Sequence, residues 1–287
     1  MNAVAVGNFD GFHLGHQELI SRLRVLAAKK VLGTRVLTFK PNPKVYFGRS
    51  IPLIFTDKQK EAILKSQQVD KVVFQPFAGV AKLDAEEFVC RILVRKQHMQ
   101  ALVVGENFRF GAGRTGSIDF LQRLAPEVGF DLEVVPAFTY DGERVSSSRI
   151  RGLLDKGSVD EAARLLGRYY FIDGIVVSGA GRGRKLGFPT INLKTDNKVL
   201  PRGVFATQVE WKDRLLPAVT NIGSSPTFSR SFQKVETHII GFDKQIYRHH
   251  VRLHFIYKLR DEFCFENASE LVAQIRRDVR NAHIDKN

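Results

Sequence analysis

The chain reads as an α/β protein in two parts, a doubly wound parallel sheet followed by an antiparallel barrel or sandwich with a terminal helix. Three observations carry this. Up to about residue 168, short apolar runs alternate with amphipathic helical segments. From Tyr169, period-two runs follow one another with no helix between them. Near the end, Leu271, Val272, Ile275 and Val279 fall at helical spacing, an apolar stripe suited to covering the second part. The domains so drawn are 1–168 and 169–287.

In the first part, Ala3 to Val6 are continuously apolar, as in a parallel strand buried on both faces, and Leu19, Ile20, Leu23 and Leu26 share one face of the following helix. Arg35 to Phe39 form a second strand, ended by Lys40-Pro41-Asn42-Pro43 because neither proline continues a central strand. Thr56 to Leu64 are helical with Thr56 at the N-cap position, and Val72 to Phe74 are a short strand. Asp84 and Glu87 make a capping box for a helix through Phe88, Ile92 and Leu93. Ala101 to Val104 and Leu132 to Val135 are further strands. Ser146 to Arg151 open a helix, and Val159 to Leu166 supply the joint between the parts.

In the second part, Tyr170 to Val177, Val204 to Trp211, Leu215 to Asn221 and Val235 to Phe242 read as strands. Val251, Leu253, Phe255, Tyr257 and Leu259 alternate with Arg252, His254 and Lys258 in another.

The loop Gly7-Asn8-Phe9-Asp10-Gly11-Phe12-His13-Leu14-Gly15-His16 leaves the first strand at its carboxyl end, where open α/β sheets bind ligands. Gly7, Gly11 and Gly15 let backbone N–H groups approach phosphate oxygens, and the helix start adds partial positive charge. His13 and His16 can donate to one phosphate cluster and stabilise charge building on a leaving pyrophosphate, with no nucleophile required. A metal pair or a glycine-rich turn with incidental histidines are the competing readings. Gly105 to Gly111 form a second polar loop at a strand end. Serines before a helix are ordinarily caps, so the Ser146–Arg151 stretch gains weight only from its company.

A second anion-binding candidate spans Gly179 to Asn192. It matches neither a P-loop nor GxGxxG. Its glycines, Gly179, Gly181, Gly183 and Gly187, with Arg182, Arg184 and Lys185, can form a phosphate nest, and Thr190 and Asn192 offer hard oxygens for Mg²⁺. A basic hairpin turn is the alternative. In Lys234-Val235-Glu236-Thr237-His238-Ile239, alternation puts Glu236 and His238 on one face and the three other central residues on the opposite one.

At 287 residues the chain can bury two cores, and its net charge of +14 with pI near 9.9 points to anionic partners without choosing among them. The basic residues are scattered, which favours local phosphate sites over a nucleic-acid stripe. Cys90 and Cys264 form no CxxC pair, and neither a leader-like N-terminus nor a membrane-length apolar run is visible. The expected location is the reducing cytoplasm.

Together the motifs resemble the bifunctional bacterial riboflavin kinase/FAD synthetase family over essentially the whole chain. GNFDGFHLGHQ, TFKPNP, LIFTDKQKEAIL, GENFRFG and VSSSRIR arrive in order, then GRGRKLGFPTINL, GVFA, TNIGSSPTF, VETHI and the terminal helix. The resemblance implies an N-terminal Rossmann-like nucleotidyltransferase domain making FAD from FMN and ATP, and a C-terminal β-barrel phosphorylating riboflavin with ATP.

By matched position it implies catalytic roles for His13, His16 and Glu236, the last as base. It implies nucleotide binding by Gly7, Asn8, Phe9, Asp10, Gly11, Ser147, Ser148, Arg151, Gly179, Gly183, Lys185 and Gly187. Asn107, Phe108 and Arg109 would meet the flavin, and Thr190 and Asn192 would bind Mg²⁺. Nucleic acid and membrane are not expected partners, and oligomeric state is left open.

Three departures stand out. Asn42 occupies a position where the family commonly has His, which removes an ionisable phosphate contact and is expected to slow adenylyl transfer. Ser148 replaces a common Thr and keeps the hydroxyl. Met1 stands two residues before the first strand where relatives carry a preceding segment, so an earlier start would add to the sheet edge. Two other classes remain: a single-activity flavin nucleotidyltransferase with a regulatory flavin-binding barrel, and a nucleic-acid-binding module with a nucleotidyltransferase-like fold.

Overall fold

The computed structural model describes residues 1–179, 181–224 and 233–282. It separates into two compact units, Met1–Leu53 with Asp57–Ser147, and Ile54–Thr56 with Ser148–Asn287.

The first unit is a parallel five-stranded sheet. In chain order its elements are β1 (Asn2–Val6), α1 (Leu14–Lys30), β2 (Gly33–Lys40), α2 (Pro43–Tyr46), α3 (Asp57–Lys65), β3 (Lys71–Pro76), α4 (Ala85–Glu87), β4 (Met99–Gly105), α5 (Ile118–Val128) and β5 (Asp131–Val135), then the hairpin β6 (Thr139–Tyr140) and β7 (Glu143–Arg144). The strand order is β3-β2-β1-β4-β5, so β1 is central, paired on both sides from Asn2, and is not an edge. Chain direction across the sheet reverses between β1 and β4. The loops after these two strands therefore flank a switch-point crevice.

Strand alternation explains the two layers. Val4, Val6, Leu102 and Val104 pack with Phe88, Leu93 and Leu121, whereas Ala3, Ala5, Ala101 and Val103 point to the other face. α1 packs on β1 and β4 and buries Leu19, Ile20, Leu23 and Ala27, with Leu26 only half-buried.

The Asp84 capping box forms as read, but the helix it opens runs on through Phe88–Lys96 with π-type spacing, the Gln97 N–H reaching back to the Ile92 carbonyl. Pro43 does not merely end a loop. Its fixed φ and missing N–H suit the first turn of α2, which Asn42 caps by accepting from the Lys44 N–H at 3.0 Å. α5 carries ordinary signals, Ser117 as N-cap and Gly129 as left-handed C-cap.

The second unit contains α6 (Ser147–Lys156, beginning at the division), α7 (Val159–Leu166), β8 (Tyr170–Val177), α8 (Arg182–Lys185), β9 (Ile191–Thr195), β10 (Gly203–Trp211), β11 (Arg214–Ser224), β12 (Gln233–Ile239), β13 (His250–Arg260) and α9 (Ala268–Asn281). Six strands close an antiparallel barrel in the order β10-β11-β12-β9-β8-β13. Phe205, Leu253 and Phe255 fill its interior beside a buried hydroxyl ladder, Thr207 to Thr220 at 2.8 Å and Thr220 to Thr237 at 2.9 Å.

Three details differ from the pattern read in the sequence. β12 ends at Ile239, short of Phe242, where Gly241 takes φ +68° and turns the chain. In β13 the register slips between the Thr207–Phe255 and Ala206–Tyr257 pairs, so Tyr257 and Leu259 leave the face of Phe255 and pack under α9. The α9 stripe is half-buried; its one fully buried side chain is Asp278, which receives Arg260 Nη2 at 2.9 Å.

Phe55 stacks on Phe171 at 4.7 Å, and Tyr170 Oη donates to the Val199 carbonyl at 2.6 Å. α7 buries Val159, Ala162, Leu165 and Leu166, packing on β13 and β8. A fragment 169–287 should therefore be less stable than 148–287 by on the order of 5 kcal/mol, from the buried aliphatic side chains it loses. Urea denaturation of the two fragments checks this; equal midpoints would contradict it.

Candidate active sites

The first site forms where β1 ends. Phe9 and Phe12 are fully buried with φ of 48° and 43°, so two bulky residues hold the sparsely populated left-handed region, and Gly11 takes φ +80° between them. The buried rings fix the loop and wall in His16. Phe9 meets it edge-on at 5.3 Å, and His13 stacks on it at 3.7 Å with 17° between planes. Gly7 and Gly15 allow close approach: a Cβ would lie 3.1 Å from the Phe9 ring and 3.3 Å from the His13 ring respectively, tight enough that the rings would have to shift.

His13 is the N-cap of α1, and Nδ1 of both His13 and His16 is buried without a hydrogen-bond partner. Burial, and secondarily the charge of Arg144, lowers His13 from 6.5 to about 4 against a weaker rise from its own backbone. Burial and then His13 push His16 well below its ordinary range. Two neutral imidazoles thus sit at the positive end of a helix dipole. Among the described residues no group of three or more His, Cys, Asp or Glu could hold a metal, so nothing there completes a metal pair.

Of the other sequence candidates, Ser147 bonds to this loop. Ser147 Oγ donates to the Asp10 carbonyl at 2.9 Å, while Ser148 and Arg151 belong to the second unit, where Arg151 donates to Ser148 Oγ at 3.1 Å. Asn8 is exposed and Asp10 buried. In the loop after β4, Asn107 and Arg109 are exposed, and Phe108 stacks on buried Phe110 at 5.1 Å. Asn42 is tied up as a helix cap.

Sequence reasoning missed Lys60 and an aromatic cluster elsewhere in the unit. Lys60 is buried beneath the loop, 3.5 Å from Asp57 and 3.5 Å from Thr38 Oγ1, which itself donates to the Asn8 carbonyl at 3.3 Å. Burial lowers its pKa, opposed by Asp57 and Asp10. Its spacing three residues after Asp57 was the available signal. Tyr46, Phe47 and Phe77 form an aromatic cluster with ring separations of 5.1 to 5.7 Å, and Tyr46 and Phe47 are exposed.

The second site lies on the barrel. Glu236 pairs directly with Asn192 on β9 and with Asn221 on β11, so the three side chains stand in a row. They line a cavity of about 470 Å³, bounded on its far side by Phe263, Phe265, Leu271 and Ile275. Thr190 borders this cavity and also a smaller one of about 50 Å³ with Arg184, Phe242 and Tyr247. His238 is held by the Pro189 carbonyl at 2.9 Å.

The glycine-rich segment forms the short helical turn α8 and not a plain hairpin. A Cβ at Gly183 would overlap the Phe188 carbonyl, and one at Gly179 would overlap the Asn192 amide. Gly187 has φ +83°. The Lys185 side chain and residues 225–228 of the TNIGSSPTF motif lie outside the described residues.

A parallel sheet with a histidine–glycine loop at its switch point, in one chain with a closed barrel carrying a carboxylate–amide row, defines a nucleotide-dependent transferase with two sites. A sequence model of FAD synthetase matches residues 1–149, and one of riboflavin kinase matches residues 166–284. The chain is 35% identical over 285 residues to the bifunctional riboflavin kinase/FMN adenylyltransferase of Haemophilus influenzae, covering 98% of this chain and 92% of that protein. It is 36% identical over 280 residues to the Escherichia coli K12 protein of the same name, covering 96% and 90%. The chain belongs to the bifunctional riboflavin kinase/FMN adenylyltransferase family.

A crystal structure from Streptococcus pneumoniae, titled as a macrolide-efflux protein, superposes with a TM-score of 0.90 at 30% identity, covering 97% of this chain and 92% of that one. Among the described residues here, no helix is long and apolar enough to cross a membrane.

The neutral histidines make stability depend on pH with a definite sign. Above pH 6.5 neither the folded nor the unfolded state protonates His13; between 6.5 and about 4 only the unfolded chain does, so stability falls as pH falls through that window. For His13 the loss is on the order of 3 kcal/mol. Urea midpoints of the first unit's transition at pH 7 and 4.5 should differ more in wild type than in His13→Ala. Identical pH dependence would contradict the assignment.

Proposed function

We propose that the chain makes FAD in two ATP-dependent steps, with residues 1–168 as the FMN adenylyltransferase domain and 169–287 as the riboflavin kinase domain. The observation carrying this is the pairing of two physically distinct phosphate-handling sites, one on each fold, in a chain whose two halves match the two family models in order. The kinase match over the barrel favours a catalytic barrel over a purely regulatory one.

In the kinase half, Glu236 takes the proton from the terminal hydroxyl of riboflavin as its oxygen attacks the γ-phosphorus of ATP and the bond to the β-phosphate oxygen breaks. Riboflavin occupies the larger cavity and ATP approaches from the Thr190 side, with Gly179, Gly183, Lys185 and Gly187 along the phosphates. Thr190 and Asn192 fit a Mg²⁺ that arrives with ATP: both offer hard oxygens, and the cradle around the Asn192 amide has no room for a side chain at Gly179. Bound there, Mg²⁺ neutralises phosphate charge.

In the adenylyltransferase half, a phosphate oxygen of FMN attacks the α-phosphorus of ATP and pyrophosphate leaves. His13 and His16 hydrogen-bond the departing phosphates, with charge drawn onto the imidazoles by the anion itself. Gly7, Asn8, Phe9, Asp10 and Gly11 shape the cradle, Ser147, Ser148 and Arg151 hold the triphosphate, and Asn107, Phe108 and Arg109 meet the flavin. The exposed Tyr46–Phe47 rings offer it a stacking surface. Reduced cytosol suits the two free cysteines. Neither nucleic acid nor membrane enters this reading.

Incubating the full chain with riboflavin and Mg-ATP, then separating the flavins, should give FMN followed by FAD. FMN alone would remove the adenylyltransferase assignment, and no phosphorylated flavin would remove both. His13→Ala or His16→Ala should lower FAD formation by roughly 10²–10³-fold and leave FMN formation intact. Glu236→Gln should lower kcat for FMN by on the order of 10²–10⁴-fold, whereas His238→Ala should not. Near-normal turnover of Glu236→Gln would return Glu236 to a solvated strand face.

A further inference from the structure

The row across β9, β12 and β11 holds one polar group that the chemistry above leaves unused. Asn192, Glu236 and Asn221 are consecutive ladder partners and all line the large cavity. Asn221 Oδ1 is buried there without a hydrogen-bond partner. Proteins rarely leave a buried amide oxygen unmatched, because its lost hydration is not recovered.

Among the described residues, none satisfies it from either side of the row. Beyond Asn221 the row continues to Val204, which has no polar side chain, and then to Arg260. The Arg260 guanidinium is committed to Asp278, at 2.9 to 3.1 Å, and to the Asp261 carbonyl at 3.0 Å. Along β11, Thr220 and Ile222 point to the opposite face, where Thr220 joins the buried hydroxyl ladder. On its remaining flank stands Glu236, an acceptor when ionised.

Two acceptors therefore stand on neighbouring side chains, whose Cβ atoms lie about 5 Å apart as in directly opposed strand neighbours. A polyol chain complements such a pair, since it carries hydroxyl donors on successive carbons. A neutral amide oxygen can hold one hydroxyl without adding a second negative charge beside the base.

We propose that Asn221 is a positioning residue of the kinase half: its side-chain carbonyl accepts a hydrogen bond from a ribityl hydroxyl adjacent to the one whose proton Glu236 takes. The contact fixes the reacting hydroxyl over the carboxylate. It rests on the reading of the barrel as a riboflavin kinase with Glu236 as base.

The test is a substrate–protein cycle on the full chain. FMN-type product formation is followed with riboflavin and with its 2′-, 3′- and 4′-deoxyribityl analogues, in wild type, Asn221→Ala and Asn221→Asp, with the urea midpoint of the second unit's transition as the check on folding. Asn221→Ala should lower kcat/KM for riboflavin about 10- to 100-fold. One deoxy analogue should be equally poor with wild type and lose nothing more in the variant. Asn221→Asp keeps the acceptor and that coupling, but its added charge beside Glu236 should move the acidic limb of the kcat–pH profile upward. Additive losses for all three analogues, or an unchanged kcat/KM, would overturn the proposal while leaving the kinase reading intact. A pH shift in Asn221→Asp without analogue coupling would overturn it too, the amide then serving Glu236 and not substrate. Wild type that makes no FMN would overturn both.

Discussion

Stacking two imidazoles 3.7 Å apart inside a shell of phenylalanine rings is the constraint on which the first unit depends. Charged, such a pair would repel; buried and neutral, it can stand at the N-terminus of α1, where the helix dipole also disfavours protonation. The left-handed Phe9 and Phe12 supply the shell, and their strain is held by full burial. In the proposed reaction, anionic phosphate arriving at this point would meet N–H donors whose charge it can itself call up. On that proposal the loop, the strained backbone and the glycines serve one physical purpose: a site that is apolar when empty and cationic when filled.

The barrel solves the same problem differently. Its carboxylate–amide row is built by register, with Asn192, Glu236 and Asn221 aligned by the closure of six strands. The cavity beneath is kept open by α9, whose Leu271 and Ile275 face it while Val279 packs on the barrel wall. The Arg260–Asp278 pair joins that helix to β13 near its end. Because Asp278 is nearly inaccessible, removing one partner would leave a buried charge, so the pair specifies where α9 sits more than it adds stability.

Local periodicity made most of the architecture legible. β1, α1, the Asp84 cap and the core of β13 follow from strand or helix spacing among near neighbours. The candidate loops were legible because their glycines and polar donors gather at strand ends. What could not be read depends on distant partners. The bulge in β13 is set by β10, the barrel's hold on Phe55 by Tyr170 and Phe171, and the neutrality of His13 and His16 by ring packing. Asn42 illustrates the limit: a position expected to matter by losing an ionisable group is occupied by a side chain bonded to its own helix. Asn221 was hidden for the converse reason, since only the register places it beside Glu236.

The claim at the centre is that the imidazole pair is neutral until phosphate arrives. Calorimetric titration of ATP into the protein near pH 6, in buffers of different ionisation enthalpy, measures the protons exchanged on binding. Subtracting the same measurement for a His13→Ala/His16→Ala variant isolates the pair. The account predicts a difference approaching one proton taken up by wild type, since both imidazoles start below their ordinary range and the anion raises at least one of them. A difference of zero, or net release by wild type relative to the variant, would contradict it.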